Sequence, residues 1–301
     1  MTIERKEEIR EKKYGTKSLK EFSKIKPFFV YPVWHKTGKT GRRLVKTIIK
    51  DFFLLQELEQ FHIYKIPVIN VETELDGQIP FVPEKISDYM TFIDLIINSL
   101  DFFKKRLGYK ESADLANEYM TFVTKLYKNA SSIYRFSMTT TNRPKYYKGK
   151  FITVHLFDPH LLCVPSLHVS AASGIYFWFL KNIDRMQLSE TEKKQRLSEL
   201  KTWAIEIIES VLFVKQHSVK CIPAAFYMIS VTNGENFISP SEAVNLINEL
   251  FKDSDLISAE NKKAVTDHFQ YIYERFLLEN NYCERWQEPV EKFLSNFQSS
   301  N

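Results

Sequence analysis

Apolar residues recur at three- and four-residue spacing along most of this 301-residue chain, and this pattern limits the fold more than any other feature. Such spacing places apolar side chains on one face of a helix. Ser189 with Glu192, and Ser239 with Glu242, add the capping-box pattern that begins a helix. The predicted helices span about 45–63, 86–107, 112–135, 168–182, 190–214, 222–232, 240–252, 259–279 and 289–297. The predicted fold is therefore all-α, a single multi-helix bundle.

The helical periodicity stops between residues 137 and 167. Prolines, glycines, a threonine run and several histidine or aspartate positions occupy this segment. Loops longer than about 12–15 residues within a compact domain are usually functional or disordered. The apolar content here favours order, so we expect a long ordered loop before the core helices. A second irregular stretch, 65–80, alternates apolar and polar residues, which predicts a short strand or an extended connector.

Positive charge is concentrated at the start of the chain. Residues 1–50 hold 15 Lys/Arg and 5 Asp/Glu, a local balance of +10 in a chain whose formal net charge is +5. Prolines and glycines predict a loop at 27–43. The predicted division is thus a basic leader and loop at 1–43, followed by a helical domain at 44–301. Two interpretations of the leader stay open: a solvated, partly disordered segment, or one that contacts a phosphate-rich surface such as a membrane.

The cysteines and the apolar segments bear on the compartment. Cys163, Cys221 and Cys283 have no metal-ligand spacing, and so sparse and odd a set of thiols indicates a reducing environment. The N-terminus lacks the apolar region of a secretory signal, and no run of about 18–20 uncharged apolar residues predicts a spanning helix. We expect a cytoplasmic protein that is peripheral to a membrane if the leader binds anionic lipid. A nucleic-acid partner is not expected.

Two short segments carry candidate chemistry. Pro165-Ser166-Leu167-His168 lies at a predicted loop-to-helix junction, where free amides at a helix start favour an anion. Lys215-Gln216-His217 lies at the end of a predicted helix. Each histidine also has a plain structural interpretation, as a half-buried residue in a capped first turn or as a cation favoured at a helix C-terminus. If the two rings face one phosphate, one can attack phosphorus while the other protonates the leaving oxygen.

Basic side chains near these segments are candidate phosphate ligands. Arg143 precedes Pro144 in the loop, Arg135 lies eight residues earlier, and Lys215 is next but one to His217. A guanidinium can hold two phosphate oxygens at once; the alternative is a solvated basic loop. A metal site at His155, Asp158 and His160 is not expected, because Pro159 interrupts the group and the spacing fits no standard site.

In this order, the segments resemble the type 2 phosphatidic acid phosphatase / vanadium haloperoxidase superfamily. That pattern is a basic residue, six residues and Arg-Pro; then Pro-Ser-x-His; then Ser-Arg, five residues, His, three residues and Asp. Arg143-Pro144 matches the end of the first part, and Pro165-Ser166-Leu167-His168 matches the second. Ser210 stands seven residues before His217, as the third part requires. The resemblance covers roughly residues 135–232 and implies a helical phosphatase-like domain of the family's soluble branch.

The resemblance implies a role for each matching residue. His217 would be the nucleophile that forms a phosphohistidine, and His168 would be the acid for the leaving group. Ser166, Arg143 and Lys215 would hold the phosphoryl oxygens, and Arg135 lies one residue away from the first basic position. Three positions depart from the pattern: Phe136 replaces that basic residue, Val211 replaces the expected arginine, and Cys221 replaces the expected aspartate.

Cys221 bears most directly on activity. In the family, the carboxylate at this position accepts a proton from the far ring nitrogen of the nucleophile and stabilises its charged form. A neutral thiol is a poor acceptor. We therefore place Cys221 among the candidate catalytic residues as an altered member of the triad.

The expected function is metal-independent hydrolysis of a phosphomonoester, with a lipid or isoprenoid phosphate as one substrate class. The expected partners are thus a phosphorylated small molecule or lipid, and no cofactor or metal is implied. Two alternatives stay open: a catalytically weakened or inactive phosphate-binding module on the same scaffold, and, less favoured, a vanadate-dependent peroxidase.

Overall fold

The computed structural model describes residues 3–234 and 237–298, and it confirms the all-α fold class, with 68% of the structure helical and 2% in strands. The α-helices are α1 (Ile3–Tyr14), α2 (Lys26–Val30), α3 (Gly38–Ile48), α4 (Leu54–Gln60), α5 (Glu74–Gly77), α6 (Ile86–Met90), α7 (Phe92–Phe102), α8 (Ala113–Phe136), α9 (Lys150–Phe157), α10 (Leu167–Asn182), α11 (Glu190–Phe213), α12 (Cys221–Thr232), α13 (Pro240–Glu249), α14 (Ala259–Asn280) and α15 (Glu288–Gln298). The strands in these ranges are β1 (Val68–Asn70) and β2 (Met138–Thr140). Within the same ranges, no helix combines the length and apolar character needed to cross a bilayer.

Helix α10 lies at the centre of the bundle, in contact with α7, α8, α11 and α12. Its small residues allow these neighbours to approach closely. A Cβ added at Gly174 would lie 3.1 Å from Cζ of Phe122 on α8, which is tighter than ordinary contact. Most α10 side chains between Leu167 and Phe179 are buried. The helix that begins with the Pro-Ser-Leu-His segment is therefore the core element around which the others pack.

The two irregular stretches meet in space. Residues 65–80 contain β1, as the alternating pattern predicted, and β1 pairs in parallel with β2 so that Val68 lies opposite Met138. An isolated bridge between Thr139 and Leu162 brings the chain just before Pro165 alongside β2. This small sheet fixes the entry of the chain into α10, even though it holds few residues.

The segment 137–167 is ordered, as expected, but it is not all loop. It contains β2 and the helix α9, whose Phe151 and Val154 are buried at three-residue spacing. The sequence did not predict α9 because Gly149, which precedes it, forms no side-chain cap and has a positive φ of 54°. The helix is held by tertiary packing of one face rather than by a cap.

The predicted loop at 27–43 is wrong, because α2 and the first half of α3 lie within it. Helix α3 begins at Gly38, and a Cβ added at Gly41 would lie 2.9 Å from backbone atoms of Tyr31 and Pro32. Glycine is needed here so that α3 can pack against the preceding backbone. The residue type that suggested a chain break therefore marks a close contact.

Part of the basic leader also packs against the body. Leu19 and Phe22 are buried, and the guanidinium of Arg196 on α11 donates to the carbonyls of Gly15 (2.7 Å) and Lys17 (2.6 Å). Arg196 is itself fully buried. The interpretation of a solvated, partly disordered leader is therefore wrong for residues 14–22, which are an integral part of the bundle.

The long helix predicted at 86–107 is divided. Helices α6 and α7 meet at Thr91, whose hydroxyl donates to the Asp88 carbonyl (2.6 Å) and accepts from Nε1 of Trp203 (2.9 Å). A π-helical turn, Phe103–Leu107, follows α7. The break directs Tyr89 and Phe92 towards the start of α10, where they become part of the site below.

Candidate functional site

Ser166 is the N-cap of α10 and lies beside His217. The Ser166 side chain accepts a hydrogen bond from the Val169 amide (3.3 Å), which is the usual reason for serine at this position. Its Oγ also lies 3.3 Å from Nε2 of His217. The loop-to-helix junction predicted from the sequence thus exists, and it brings the serine of one motif to the histidine of the other.

The tautomer of His217 is set by its other ring nitrogen. Nδ1 lies 3.1 Å from the Cys163 carbonyl, which can only accept, so Nδ1 carries the proton. Nε2 is then unprotonated and accepts from the Ser166 hydroxyl. A backbone carbonyl therefore performs one task that the resemblance assigns to an aspartate four residues after the histidine: it fixes which nitrogen is free to attack.

His168 and His217 converge. Their ring centroids are 5.4 Å apart, and both rings line one pocket. His168 is stacked on Tyr89 with centroids 4.1 Å apart and contacts Phe92 at 4.0 Å. Burial, and next the proximity of His217, hold the pKa of His168 well below its usual value. The resting His168 is therefore neutral near pH 7.

The pocket is small and partly polar. Its cavity volume is about 20 Å³, room for roughly one water molecule. The walls, besides the two histidines, are Phe52, Tyr89, Asp158, His160, Leu162, Cys163, Leu167 and Gln216. The Oε1 atom of Gln216 is buried with no hydrogen-bond partner among the described residues. A phosphoryl group can enter only if a wall such as Phe52 moves.

The Cys221 thiol contacts the side chain of His217. The Ser218 amide donates to Cys221 Sγ (3.2 Å). Burial raises the pKa of Cys221, but contacts with Cys163, His217 and the Ser218 amide lower it by more, to about 6. Burial and the neighbouring Cys221 raise the pKa of Cys163. Of the two thiols, Cys221 therefore has the lower pKa, and it is the one that can supply negative charge when the His217 ring becomes charged.

Arg143 approaches the pocket but is already paired. Its Nη2 lies 3.2 Å from a carboxylate oxygen of Asp158, and its Nη1 contacts the Asp158 carbonyl and Nδ1 of His155 (3.0 Å). The Nε atom is buried and has no partner in the described chain. Because Asp158 lines the pocket, Arg143 lies directly behind a pocket wall rather than inside the cavity.

Lys215 lies on the opposite side of His217. Its ammonium donates to the Asp76 carbonyl (2.5 Å), and it lines a second small cavity that His217 also borders. Burial lowers the pKa of Lys215, and the nearby Asp76 opposes this. The Asp76 carboxylate accepts from the Val219 amide (2.7 Å) and the Ser218 hydroxyl (2.9 Å), so it braces the turn that carries His217. The sequence gave no sign of this role for Asp76.

Arg135 does not belong to the site. It is 42% exposed and pairs with Asp51 at 3.0 Å, away from the histidine pocket. The structure does not bring this predicted phosphate ligand to the histidine pocket, because Arg135 pairs at the surface with an acidic residue of the π-helical turn Ile49–Phe53. Of the four predicted phosphate ligands, only Ser166 touches a catalytic candidate directly.

Sequence reasoning missed His160 as a third histidine of the pocket. It is buried, its Nε2 lies 2.8 Å from the Thr141 hydroxyl, and its backbone amide donates to the Asp158 carboxylate. Burial, followed by Arg143 and His217, holds its pKa well below the usual value. The sequence Asp158-Pro159-His160 was the feature from which His160 could have been identified as a pocket residue. No group of three or more His, Cys, Asp or Glu in residues 3–234 and 237–298 is arranged to hold a metal ion.

Comparisons with known proteins give no match: no family model, no curated protein and no solved structure is similar to this chain. The assignment of a function therefore depends on the geometry of the site.

Proposed function

We propose that this chain is a metal-independent phosphomonoester hydrolase that acts through a phosphohistidine on His217. The observation that supports this most is the 5.4 Å separation of the His168 and His217 rings, with Nε2 of His217 as the free nitrogen. Residues that are 49 positions apart meet at one pocket, as the resemblance to the phosphatidic acid phosphatase superfamily requires. On this basis, each group of the pocket is given a step in the proposed reaction.

In the first step, Nε2 of His217 attacks phosphorus and the bond to the ester oxygen breaks. The leaving oxygen takes a proton from His168, which has been protonated on binding of the phosphate dianion. The Ser166 hydroxyl turns from Nε2 to a phosphoryl oxygen. The Cys163 carbonyl and the Cys221 thiolate stabilise the positive charge that develops on the His217 ring.

In the second step, water replaces the histidine. Neutral His168 removes a proton from the water, whose oxygen attacks phosphorus, and the P–N bond breaks to return free Nε2. Inorganic phosphate then leaves, and His168 releases the proton that it took from the water to the solvent. No step of this path requires a metal, because His217 attacks phosphorus directly and the phosphoryl oxygens meet the Ser166 hydroxyl and protonated His168.

The direct test is turnover of p-nitrophenyl phosphate in the presence of EDTA. His217→Ala should reduce kcat by about 10³-fold or more, because a missing nucleophile cannot be replaced by its neighbours. His35→Ala, at an exposed histidine far along the chain, is the matched control and should keep the wild-type rate. Vanadate should inhibit. A wild-type rate in His217→Ala would contradict the proposal.

A second candidate is a phosphate-binding module without turnover. Two observations favour it: Arg143 is neutralised by Asp158, and the pocket is only about 20 Å³ in volume. Binding of inorganic phosphate by wild-type protein, weakened in His217→Ala but with no hydrolysis of any ester, would support the module over the enzyme.

A further inference from the structure

An apolar cavity lies beside the histidine pocket. It is enclosed by α2, α3, the π-helical turn Ile49–Phe53, α7 and α8, and its volume is about 360 Å³. Its walls are almost entirely hydrocarbon, with Leu44, Val45, Ile48, Ile96, Leu100 and Met120 among them. This volume falls in the range of small-molecule sites, which is about 300–1,000 Å³. Most of its walls come from residues outside the segment that resembles the phosphatase family.

The cavity and the histidine pocket share a wall. The Phe52 side chain lines both. Phe92 lines the cavity, and its ring centroid is 4.0 Å from that of His168. A group bound in the cavity therefore lies one aromatic ring away from the proposed reacting atoms, and movement of Phe52 would join the two spaces.

The mouth of the cavity is open and apolar. Phe28, Ile49, Phe53 and Ile93 line it and are 41–48% exposed. Exposed lysines at 46 and 50 flank Ile49 on the same stretch of helix. An apolar opening beside cations suits a molecule with a hydrocarbon chain and an anionic head.

We propose that this cavity binds the single hydrocarbon chain of an anionic amphiphile. The chain enters past Ile93 and Phe53 and fills the cavity, and its anionic head stays at the mouth, near Lys46, Lys50 and the shared wall at Phe52. Chain binding itself depends only on the cavity, whereas the use of such a molecule as a substrate rests on the proposed function. The two inferences are therefore separable by experiment.

The binding test uses parinaric acid, a fluorescent single-chain carboxylate with no phosphate to hydrolyse. Wild-type protein should bind one molecule, and dodecyl phosphate should displace it where propyl phosphate does not. Val45→Phe fills the cavity and should weaken binding by about tenfold or more. Val244→Phe, at a partly buried valine on α13, is the matched control and should bind like wild type.

A surface variant excludes misfolding as the cause. Ile93→Glu places a charge at the exposed mouth and should weaken parinaric acid binding, whereas Leu278→Glu, at a 65% exposed leucine on α14, should not. No binding by wild type, or equal binding by Val45→Phe and Val244→Phe, would overturn the cavity as a chain site. Displacement by propyl phosphate as effective as by dodecyl phosphate would also overturn it.

Activity then separates this inference from the proposed function. If both hold, Val45→Phe should raise the ratio of KM for dodecyl phosphate to KM for p-nitrophenyl phosphate by about tenfold. Parinaric acid binding without hydrolysis of either ester would support the cavity and contradict the hydrolase. Hydrolysis without parinaric acid binding would do the reverse.

Discussion

The two halves of the predicted phosphate site behave differently in the structure. The histidine half converges: His168 and His217 line one pocket, and the Ser166 hydroxyl lies 3.3 Å from Nε2 of His217. The cationic half does not, because Arg135 and Arg143 each pair with an aspartate and Lys215 donates to a carbonyl on the far side of His217. The position of a short side chain is set by the backbone of its motif. The long side chains of arginine and lysine can instead reach several acceptors, and their position depends on which acceptor is nearby.

The largest predicted change is a change in kcat on substitution of Cys221, which contacts His217 in the histidine half of the site. Cys221→Ser removes the thiolate beside His217 and should lower kcat about 10- to 100-fold, since one charged contact to the reacting ring is lost. Cys221→Asp restores a negative charge and should keep or raise kcat. Rates are measured with p-nitrophenyl phosphate, and folding is checked by thermal unfolding.

The pH profile sharpens the same prediction. If the Cys221 thiolate stabilises the charged His217 ring as proposed, kcat should fall as pH drops through the Cys221 pKa of about 6. In Cys221→Ser, this acid limb should disappear. Cys283→Ser, at a cysteine remote from the pocket, is the control and should change neither rate nor profile. An unchanged acid limb in Cys221→Ser would show that another group titrates.

A smaller change, in KM, is expected when Arg143 or its partner Asp158 in the cationic half is substituted. Asp158→Asn removes the negative charge that holds Arg143, and Arg143 can then face the pocket. KM for p-nitrophenyl phosphate should fall by about three- to tenfold, and Arg143→Ala should raise it by a similar factor. Arg135→Ala should leave KM within about twofold, because an exposed ion pair contributes little. An equal rise in KM for Arg135→Ala and Arg143→Ala would contradict the geometry.

The smallest predicted effect is the contribution of His160 to the pH dependence of the free energy of unfolding. Burial keeps the His160 pKa well below its usual value, so the unfolded state binds more protons than the folded state as pH falls below about 6.5. The free energy of unfolding should therefore decrease on acidification, by at most about 1.4 kcal/mol per pH unit for this group. The contribution of neutral His160 to the free energy of unfolding is fully present above pH 6.5, and it decreases as the pH falls below that value.

A matched pair of variants isolates this effect. His160→Asn keeps a residue that tolerates the positive φ of 65° and should flatten the pH dependence between 6.5 and 5. His62→Asn changes an exposed histidine with a similar φ of 55° and should leave the slope as in wild type. Urea unfolding at several pH values measures the slope. Equal slopes in the two variants would contradict a buried, neutral His160.

Much of the helical core was predictable because it depends on local periodicity and caps. Ser189, Ser239 and Ser258 cap helices that begin where the sequence indicates. The Ser166 cap followed from its motif, and the meeting of its helix with His217 was expected only from the family resemblance. Helix α9 was not predictable, because no cap precedes Lys150 and the helix depends on tertiary packing of the face that carries Phe151 and Val154.

The rest of the site depends on contacts between distant parts of the chain. Tyr89 reaches His168 only because the chain breaks at Thr91, and Asp76 braces the His217 turn from more than 140 residues away. Nothing local to either residue encodes these contacts. The same holds for Arg135, whose direction is set by Asp51 across the bundle.

The central claim is that His217 becomes covalently phosphorylated, and this can be measured directly. Protein is mixed with p-nitrophenyl phosphate labelled with radioactive phosphorus, because p-nitrophenolate can leave without a proton from His168; the reaction is quenched in alkali and the acid-labile label is mapped by peptide analysis. We expect label on His217 in the wild type, more of it in His168→Ala, where the second step is slowed, and none in His217→Ala. Turnover by wild type without label on His217, or label that persists in His217→Ala, would contradict the account.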